Sequence, residues 1–138
     1  MGKKKPELKL KYKFFFNQDK DAAFTRCPKC NNMTKVRKLP FVIHLEKVRN
    51  FISVNMECKF CPYCDLLIAR AQEVENIVCS VLGKEEVDKS DYEVIGTLER
   101  KIWKKSMTIP LYPHELLDLM YFFKDVWEFS PPGWYKQE

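Results

Sequence analysis

The stretch "FISVNMECKFCPYCDLLI", residues 51–68, alternates apolar and polar side chains until it reaches a pair of cysteines. Successive side chains of a strand point to opposite faces, so one face of the predicted strand is apolar. Its members are Ile52, Val54, Met56, Cys58 and Phe60. We interpret Cys58 as a small buried residue of this face. In the alternative, Cys58 is a metal ligand, either in place of Cys61 or Cys64 or as part of a larger cluster.

The cysteine turn "CPYCD" at 61–65 is a near copy of "CPKCN" at 27–31. In each turn a proline follows the first cysteine and a turn-forming Asp or Asn follows the second. A C-x-x-C turn lets two sulfurs reach the same ion, and two such turns complete a tetrahedral shell. The repetition therefore predicts one shared metal site. Its ligands are Cys27, Cys30, Cys61 and Cys64.

Residues 24–68, with "CPKC", an intervening hairpin and "CPYC", resemble the zinc-ribbon and rubredoxin-like class of metal-binding folds. The resemblance covers about a third of the chain. A zinc-ribbon likeness implies a structural zinc ion, whereas a rubredoxin likeness implies iron and electron transfer. Rubredoxins usually have glycine where this chain has Asn31 and Asp65. Because zinc ribbons tolerate that variation, the resemblance favours zinc, with iron as the alternative.

A site with four cysteine ligands is closed, since a catalytic zinc keeps one position open for water or substrate. We therefore expect the metal to stabilise the fold. The N-terminus has lysines at every apolar step before Phe14, and the longest apolar run is "LMYFF" at 119–123. Neither stretch predicts a secretory signal or a membrane span. We expect a cytoplasmic protein, where paired cysteines bind metal more often than they form disulfides.

The composition predicts one folded domain over residues 1–138, with 46% hydrophobic and 31% charged residues. The expected fold class is α+β: an antiparallel sheet carries the four-cysteine zinc ribbon and packs against two amphipathic helices. The lysines that alternate with apolar residues at 8–16 predict a strand at a sheet edge. The predicted segments are a basic arm at 1–7, the zinc ribbon at 24–68, a helix at 65–83, a strand at 92–105 and a C-terminal helix at 113–128.

Periodicity and turn residues set these boundaries. Apolar residues spaced three and four apart predict the helix at 65–83, with Gly83 as its C-cap. Gly96 indicates a bulge in the strand at 92–105. Pro113 suits the first turn of the last helix.

No catalytic constellation is evident, and we expect a non-enzymatic protein. The four glycines, at 2, 83, 96 and 133, form no phosphate-binding loop. No serine has a nucleophile-elbow context. Cys79, His44 and His114 have no spacing that suggests a ligand pair or a nucleophile with its base.

The net charge of +5 is concentrated in the first twenty residues, which contain seven lysines and only two acidic residues, Glu7 and Asp19. These lysines could neutralise RNA or DNA phosphates, and Tyr12 and Phe14 could stack on bases. A second basic patch lies in "RKIWKK" around Trp103. In the alternative, the lysines solubilise an edge strand and Trp103 is a core residue. The candidate nucleic-acid residues are Lys3, Lys4, Lys5, Lys9, Lys11, Lys13, Arg100, Lys101, Lys104 and Lys105.

Two further functions fit the sequence. Aromatic residues concentrated near the C-terminus could anchor a protein partner, because tyrosine and tryptophan are enriched at interface hot spots. They include Phe122, Trp127, Phe129, Trp134 and Tyr135. The second is electron transfer by a rubredoxin-like iron site.

Overall fold

A computed structural model describes residues 9–19, 22–130 and 133–136. The predicted basic arm at 1–7, with Lys3, Lys4 and Lys5, lies outside these ranges. In chain order the elements are β1 (Lys13–Asn17), β2 (Lys35–Leu45), β3 (Asn50–Cys61), β4 (Leu66–Arg70), α1 (Ala71–Leu82), β5 (Tyr92–Thr97), α2 (Arg100–Ser106), α3 (Pro113–Leu119), β6 (Tyr121–Phe122), β7 (Val126–Ser130) and β8 (Gly133–Lys136). A short 3₁₀ helix, Lys89–Asp91, precedes β5.

The eight strands of the described residues form one sheet in the order β6-β5-β2-β3-β4-β1-β7-β8. The hairpin of β2 and β3 is antiparallel, with Lys35 opposite Phe60. Strand β1, however, pairs in parallel with both β4 and β7. The sheet is therefore mixed, and the predicted antiparallel sheet is wrong. The reason lies in β1 and β4, which are apolar on both faces and so suit central positions between parallel neighbours.

The predicted edge position of the first strand is also wrong, since β1 lies between β4 and β7. Phe14, Phe15 and Phe16 are all buried. Lys9 and Lys11, which indicated an edge, precede the strand and are exposed.

The sheet curls so that the segment before β1 reaches β6, the first strand of the order. The Lys11 N–H donates to the Phe122 carbonyl at 2.9 Å, and the Phe122 N–H donates to the Lys9 carbonyl at 2.8 Å. Between these segments the rings of Phe14 and Phe123 stack with centroids 4.4 Å apart. The curl encloses the main core, which α1 covers with Ala71, Val74 and Val78.

Two smaller clusters lie on the opposite face of the sheet. One contains Phe15, Leu66 and Ile68 with the cysteines of the predicted metal site. The other contains Val42 and Met120, and residues of α2 and α3 pack against it. Alternate residues of β1 and β4 thus serve different cores, as the two-residue period of a strand requires.

The helix predicted at 65–83 begins later, because residues 66–70 form β4 and α1 spans 71–82. Leu66 to Ala69 are buried on both faces of the sheet, and an apolar run of that kind suits a buried strand as well as a helix. Gly83 ends α1 with φ 67°, as predicted for a C-cap.

Two later boundaries also differ from the prediction. The strand predicted at 92–105 ends at Thr97, and residues 100–106 form α2, whose Ile102 and Trp103 pack against the cluster around Val42. The helix predicted at 113–128 ends at Leu119, because residues 126–130 pair with β1 as strand β7. The described residues therefore contain three short α-helices instead of two. One domain over residues 1–138 stays a prediction. No helix in the described ranges has the length and apolar character to cross a membrane.

Candidate metal centre

The structure brings together the four cysteines of the predicted site. Their sulfur atoms all lie within 4.8 Å of one another. The Sγ atoms of Cys27 and Cys64 are 3.8 Å apart, and those of Cys30 and Cys61 are 3.5 Å apart. A regular tetrahedron with metal–sulfur bonds of ~2.3 Å has edges of about 3.8 Å. The cluster could therefore hold one tetrahedrally bound metal ion.

The first cysteine turn is held by its own backbone. The Cys27 N–H donates to the Asn32 carbonyl at 2.8 Å, and the Asn31 N–H donates to the Cys27 carbonyl at 2.9 Å. The Lys29 N–H points at the Cys27 sulfur at 3.4 Å. An isolated bridge between Arg26 and Met33 closes the base of the turn. Both thiols of this turn are thus positioned by local hydrogen bonds.

The second cysteine turn connects β3 to β4. Cys61 is the last residue of β3 and lies opposite Leu66 of β4. The backbone N–H groups of Tyr63 and Cys64 donate to the Cys61 sulfur. Asp65 then has φ 55°, and its counterpart Asn31 in the first turn has φ 62°. The two turns therefore share both the donation of N–H to sulfur and the left-handed residue after the second cysteine.

The four thiols differ in burial and acidity. Cys27 and Cys61 are 2% and 0% exposed, whereas Cys30 and Cys64 are half-buried. The backbone N–H of Asn32 lowers the pKa of Cys30 to about 6. Burial raises the pKa of Cys64 to about 12 and also raises the pKa of Cys61. A divalent cation would stabilise all four thiolates together, because a coordinating thiol loses its proton.

Aromatic side chains attach the cluster to the sheet. Phe15 of β1 lies beneath it and contacts Phe24 edge to face, with centroids 5.1 Å apart. The Lys29 ammonium lies 4.0 Å from the centre of the Trp127 ring. The cysteine turns are therefore packed against β1 and β7, two strands that lie outside residues 24–68, which carry the zinc-ribbon resemblance.

The other cysteines lie apart from the cluster. Cys58 is buried in the main core with Met56 and Phe60, as its strand phase predicted. Cys61 comes an odd number of residues later and faces the opposite side of the sheet. Burial raises the pKa of the Cys58 thiol to about 12. Cys79 is half-buried in α1, and its thiol donates to the Glu85 carbonyl at 3.6 Å.

The structure also brings together part of the two predicted basic patches. Lys11 lines the same groove as Arg100 and Lys101, although about ninety residues separate them in the chain. Lys9, Lys104 and Lys105 are exposed but do not line the groove, and Lys13 is half-buried in β1. We define the basic groove as the cleft of about 320 Å³ lined by Lys11, Tyr12, Leu39, Thr97, Leu98, Glu99, Arg100, Lys101 and Tyr121.

Contacts within the basic groove fix its side chains. The Lys11 ammonium lies 5.1 Å from the ring centre of Tyr12 and 5.2 Å from that of Tyr121. The Tyr121 hydroxyl donates to Glu99 at 2.9 Å, and the Arg100 guanidinium donates to the Lys38 carbonyl at 2.6 Å. Sequence spacing gave no sign of Tyr121 as part of this site, because Tyr121 reaches the groove through the pairing of β6 with β5, where it lies opposite Thr97.

The second cysteine turn is joined to the basic groove through Asp65. The Asp65 carbonyl accepts from the Lys13 N–H at 2.8 Å, and its carboxylate pairs with the Lys124 ammonium at 3.4 Å. The Lys124 N–H in turn donates to the Tyr12 carbonyl at 2.8 Å. Two of these contacts are backbone bonds, so the turn and the groove wall hold each other in place.

The C-terminal aromatics are only partly described. Phe122 packs against the cluster around Val42, and Trp127 packs against the cluster that contains the four cysteines. These two residues therefore serve the fold. The side chains of Phe129, Trp134 and Tyr135 lie outside the described part of the chain.

Comparison of the chain with protein-family models, with curated protein sequences and with solved structures finds no match. The zinc-ribbon likeness accordingly rests on residues 24–68 alone.

Proposed function

We propose that this is a non-enzymatic cytoplasmic protein in which a structural zinc ion, bound by four cysteines, supports a groove that binds nucleic acid. The observation that carries the proposal is the convergence of Lys11, Arg100 and Lys101 beside the ring of Tyr121. Three cations face one carboxylate, Glu99, in this groove. A basic cleft with an aromatic wall is typical of proteins that track a nucleic-acid backbone and stack on its bases.

Zinc is the metal we propose because four thiolates in a closed tetrahedral shell are typical of structural zinc sites. Elemental analysis of protein purified without added metal tests this assignment. We expect one zinc per chain and a colourless sample. A coloured, iron-loaded sample would contradict it and favour electron transfer.

Binding to nucleic acid is tested by fluorescence anisotropy with short single-stranded RNA and DNA of the same sequence. The double variant Lys11→Gln/Lys101→Gln removes two groove cations and keeps Arg100, whose bond to the Lys38 carbonyl is structural. Each phosphate contact on a single strand contributes about 0.7 to the slope of log affinity against log salt concentration. We therefore expect the slope to fall by about 1.4.

The matched control is Lys47→Gln/Lys84→Gln, which removes two cations that lie beside Asp91, outside the groove. We expect its salt slope to equal that of the unmodified protein. The proposal fails if the unmodified protein does not bind either strand at low salt, or if the two double variants behave alike.

A truncation tests the basic arm separately. Removal of residues 1–13 is unsuitable because Tyr12 is 8% exposed and belongs to the main core. Removal of residues 1–8 deletes Lys3, Lys4 and Lys5 and leaves the groove intact. We expect this truncation to give a smaller slope of log affinity against log salt concentration than the unmodified protein gives. The truncated protein should keep the unfolding midpoint of the unmodified protein.

A further inference from the structure

A second cavity lies at the other end of the curled sheet from the basic groove. Its lining comes from the ends of β1 and β2, the start of β5 and the strand β7. Its volume is about 310 Å³. Small-molecule sites in proteins begin at about 300 Å³. The cavity is therefore large enough for a small organic ligand.

The cavity has an apolar wall and a charged wall. The apolar wall includes Phe14, Phe16, Val94 and Val126. The charged wall contains Glu128, which is only 3% exposed. Glu128 accepts a hydrogen bond from the Gln18 amide and forms an ion pair with Lys89.

Lys89, which forms an ion pair with Glu128, reaches it from the solvent side. Lys89 belongs to the short 3₁₀ helix before β5, and its side chain is 51% exposed. Lys89 can therefore turn into water without disturbing a packed element. The Glu128 carboxylate has no such freedom because β7 pairs with β1 on one side and β8 on the other.

Among the described residues that line the cavity, acidic side chains outnumber lysines. Glu46, Glu93 and Glu128 are the carboxylates of this described lining, and Lys89 is its one lysine. His44 also lines it and lies 3.5 Å from the Glu46 carboxylate. Three carboxylates against one lysine favour a cationic ligand over an anionic one.

We propose that this cavity binds a small organic ammonium compound whose cationic group replaces Lys89 on Glu128. Its apolar part lies against Phe14 and Phe16, whose ring faces also attract cations. The exchange replaces one ion pair with another, so binding adds no new cost of burying the carboxylate. The ligand gains the apolar contacts that Lys89 does not make.

The proposal is tested on the metal-loaded full chain by isothermal titration calorimetry with three probes of one shape. Benzylammonium carries the cation, benzyl alcohol is neutral and benzoate is anionic. We expect benzylammonium to bind at least about tenfold more tightly than benzyl alcohol, the discrimination of one charged hydrogen bond. Benzoate is expected not to bind.

We expect two substitutions to change the affinity for benzylammonium in opposite directions. Glu128→Gln keeps an acceptor but removes the charge, and we expect it to weaken benzylammonium binding about tenfold or more. Lys89→Met removes the competing cation, and we expect it to strengthen that binding severalfold. The matched control is Lys47→Met, a lysine that pairs with Asp91 outside the cavity lining, and it should change nothing.

If the cavity bound anions instead, Lys89 would be the group that holds the ligand. Lys89→Met would then abolish binding of the anion. The proposal is overturned if benzoate binds more tightly than benzylammonium, if Lys89→Met weakens benzylammonium binding, or if benzylammonium binds no better than benzyl alcohol. Should Glu128→Gln lose cooperative unfolding, Val126→Phe fills the apolar wall while leaving the ion pair in place. We expect that variant to lose benzylammonium binding and to keep its affinity for nucleic acid.

Discussion

Asn31 and Asp65 allow the two cysteine turns to close. Each follows the second cysteine of its turn and has a left-handed backbone, with φ 62° and 55°. A side chain in this region crowds the carbonyl that follows it, and Asn and Asp are the non-glycine residues that tolerate it best. The residues that stand where rubredoxins usually have glycine therefore adopt a conformation that glycine also adopts readily.

A substitution at Asn31 tests this reading. Asn31 is exposed, so a change there removes no core packing. We expect Asn31→Val to lower the free energy of unfolding by about 1–2 kcal/mol, the cost of a left-handed conformation for a β-branched residue. Asn31→Gly is the control, and its effect should be smaller than about 0.5 kcal/mol. Urea unfolding of the metal-loaded protein measures both, and equal stability of the two variants would contradict the prediction.

Cys58 provides a second test at this scale. Its thiol, with a pKa raised to about 12 by burial, stays protonated at neutral pH and lies in the main core. We expect Cys58→Ala to cost about 1 kcal/mol of packing and to leave the metal content unchanged. Cys61→Ala should lose the bound metal. Elemental analysis of both variants decides, and metal loss in Cys58→Ala would show that Cys58 is a ligand.

At the scale of elements, Gly96 determines how closely β6 can approach β5. The pairing of β2 with β5 moves from Val42 opposite Gly96 to Ile43 opposite Val94, which leaves Ile95 as the extra residue of a bulge. The bulge predicted at Gly96 is thus confirmed within one residue. A Cβ on Gly96 would lie 2.0 Å from the Tyr121 carbonyl oxygen. A side chain there would push β6 away from the sheet.

We therefore expect Gly96→Ala to lower the free energy of unfolding by about 2–3 kcal/mol, at the upper end of the range for overpacking. Gly83→Ala is the matched control. A Cβ on Gly83 meets nothing within 4 Å, but φ 67° is unfavourable for alanine. The control should lose only about 1 kcal/mol. Chemical unfolding compares the two variants, and a Gly96→Ala protein as stable as the control would refute the close approach of β6.

At the scale of the whole molecule, the metal centre and the basic groove are joined by Asp65. Its carbonyl bonds to β1, and its carboxylate pairs with Lys124, which is bonded to Tyr12 in the groove wall. In metal-binding peptides, structural zinc contributes an apparent 10–16 kcal/mol or so to folding. If the four cysteines hold zinc as we propose, loss of the ion should loosen both cysteine turns and the groove wall with them.

We expect a chelator to lower the unfolding midpoint and to weaken nucleic-acid binding by about tenfold or more, because the wall that positions Lys11 is no longer held. Circular dichroism and fluorescence anisotropy on the same sample measure the two effects. Lys124→Gln is the control for the ion pair alone. Both partners of that pair are nearly half exposed, so its loss should cost less than about 1 kcal/mol and leave the metal bound. If the metal-free protein kept its nucleic-acid affinity, the metal centre would not support the basic groove, and the prediction would be wrong.

The sequence by itself predicted which four cysteines come together, and it predicted the β2–β3 hairpin. Both depend on short-range chemistry: a C-x-x-C turn places two sulfurs side by side, and alternation along 51–60 places Cys58 in the core. Which side chains of a strand share a face is set by the two-residue period and does not depend on the neighbouring strands. These features could therefore be read from the order of residues.

Only the tertiary structure decided which strands are central, where helices give way to strands, and which charges share a groove. The sequence predicted a strand at β1 but placed it at an edge, and only its pairing with the remote β4 and β7 makes it central. The apolar run in β4 suits a buried strand or a buried helix equally, and its pairing with β3 and with the remote β1 selects the strand. The meeting of Lys11 with Lys101 requires the sheet to curl, and that of Gln18 with Glu128 requires β1 to pair with the remote β7. The physical reason is that pairing between remote segments depends on how the whole chain buries its apolar surface, and local periodicity does not contain that information.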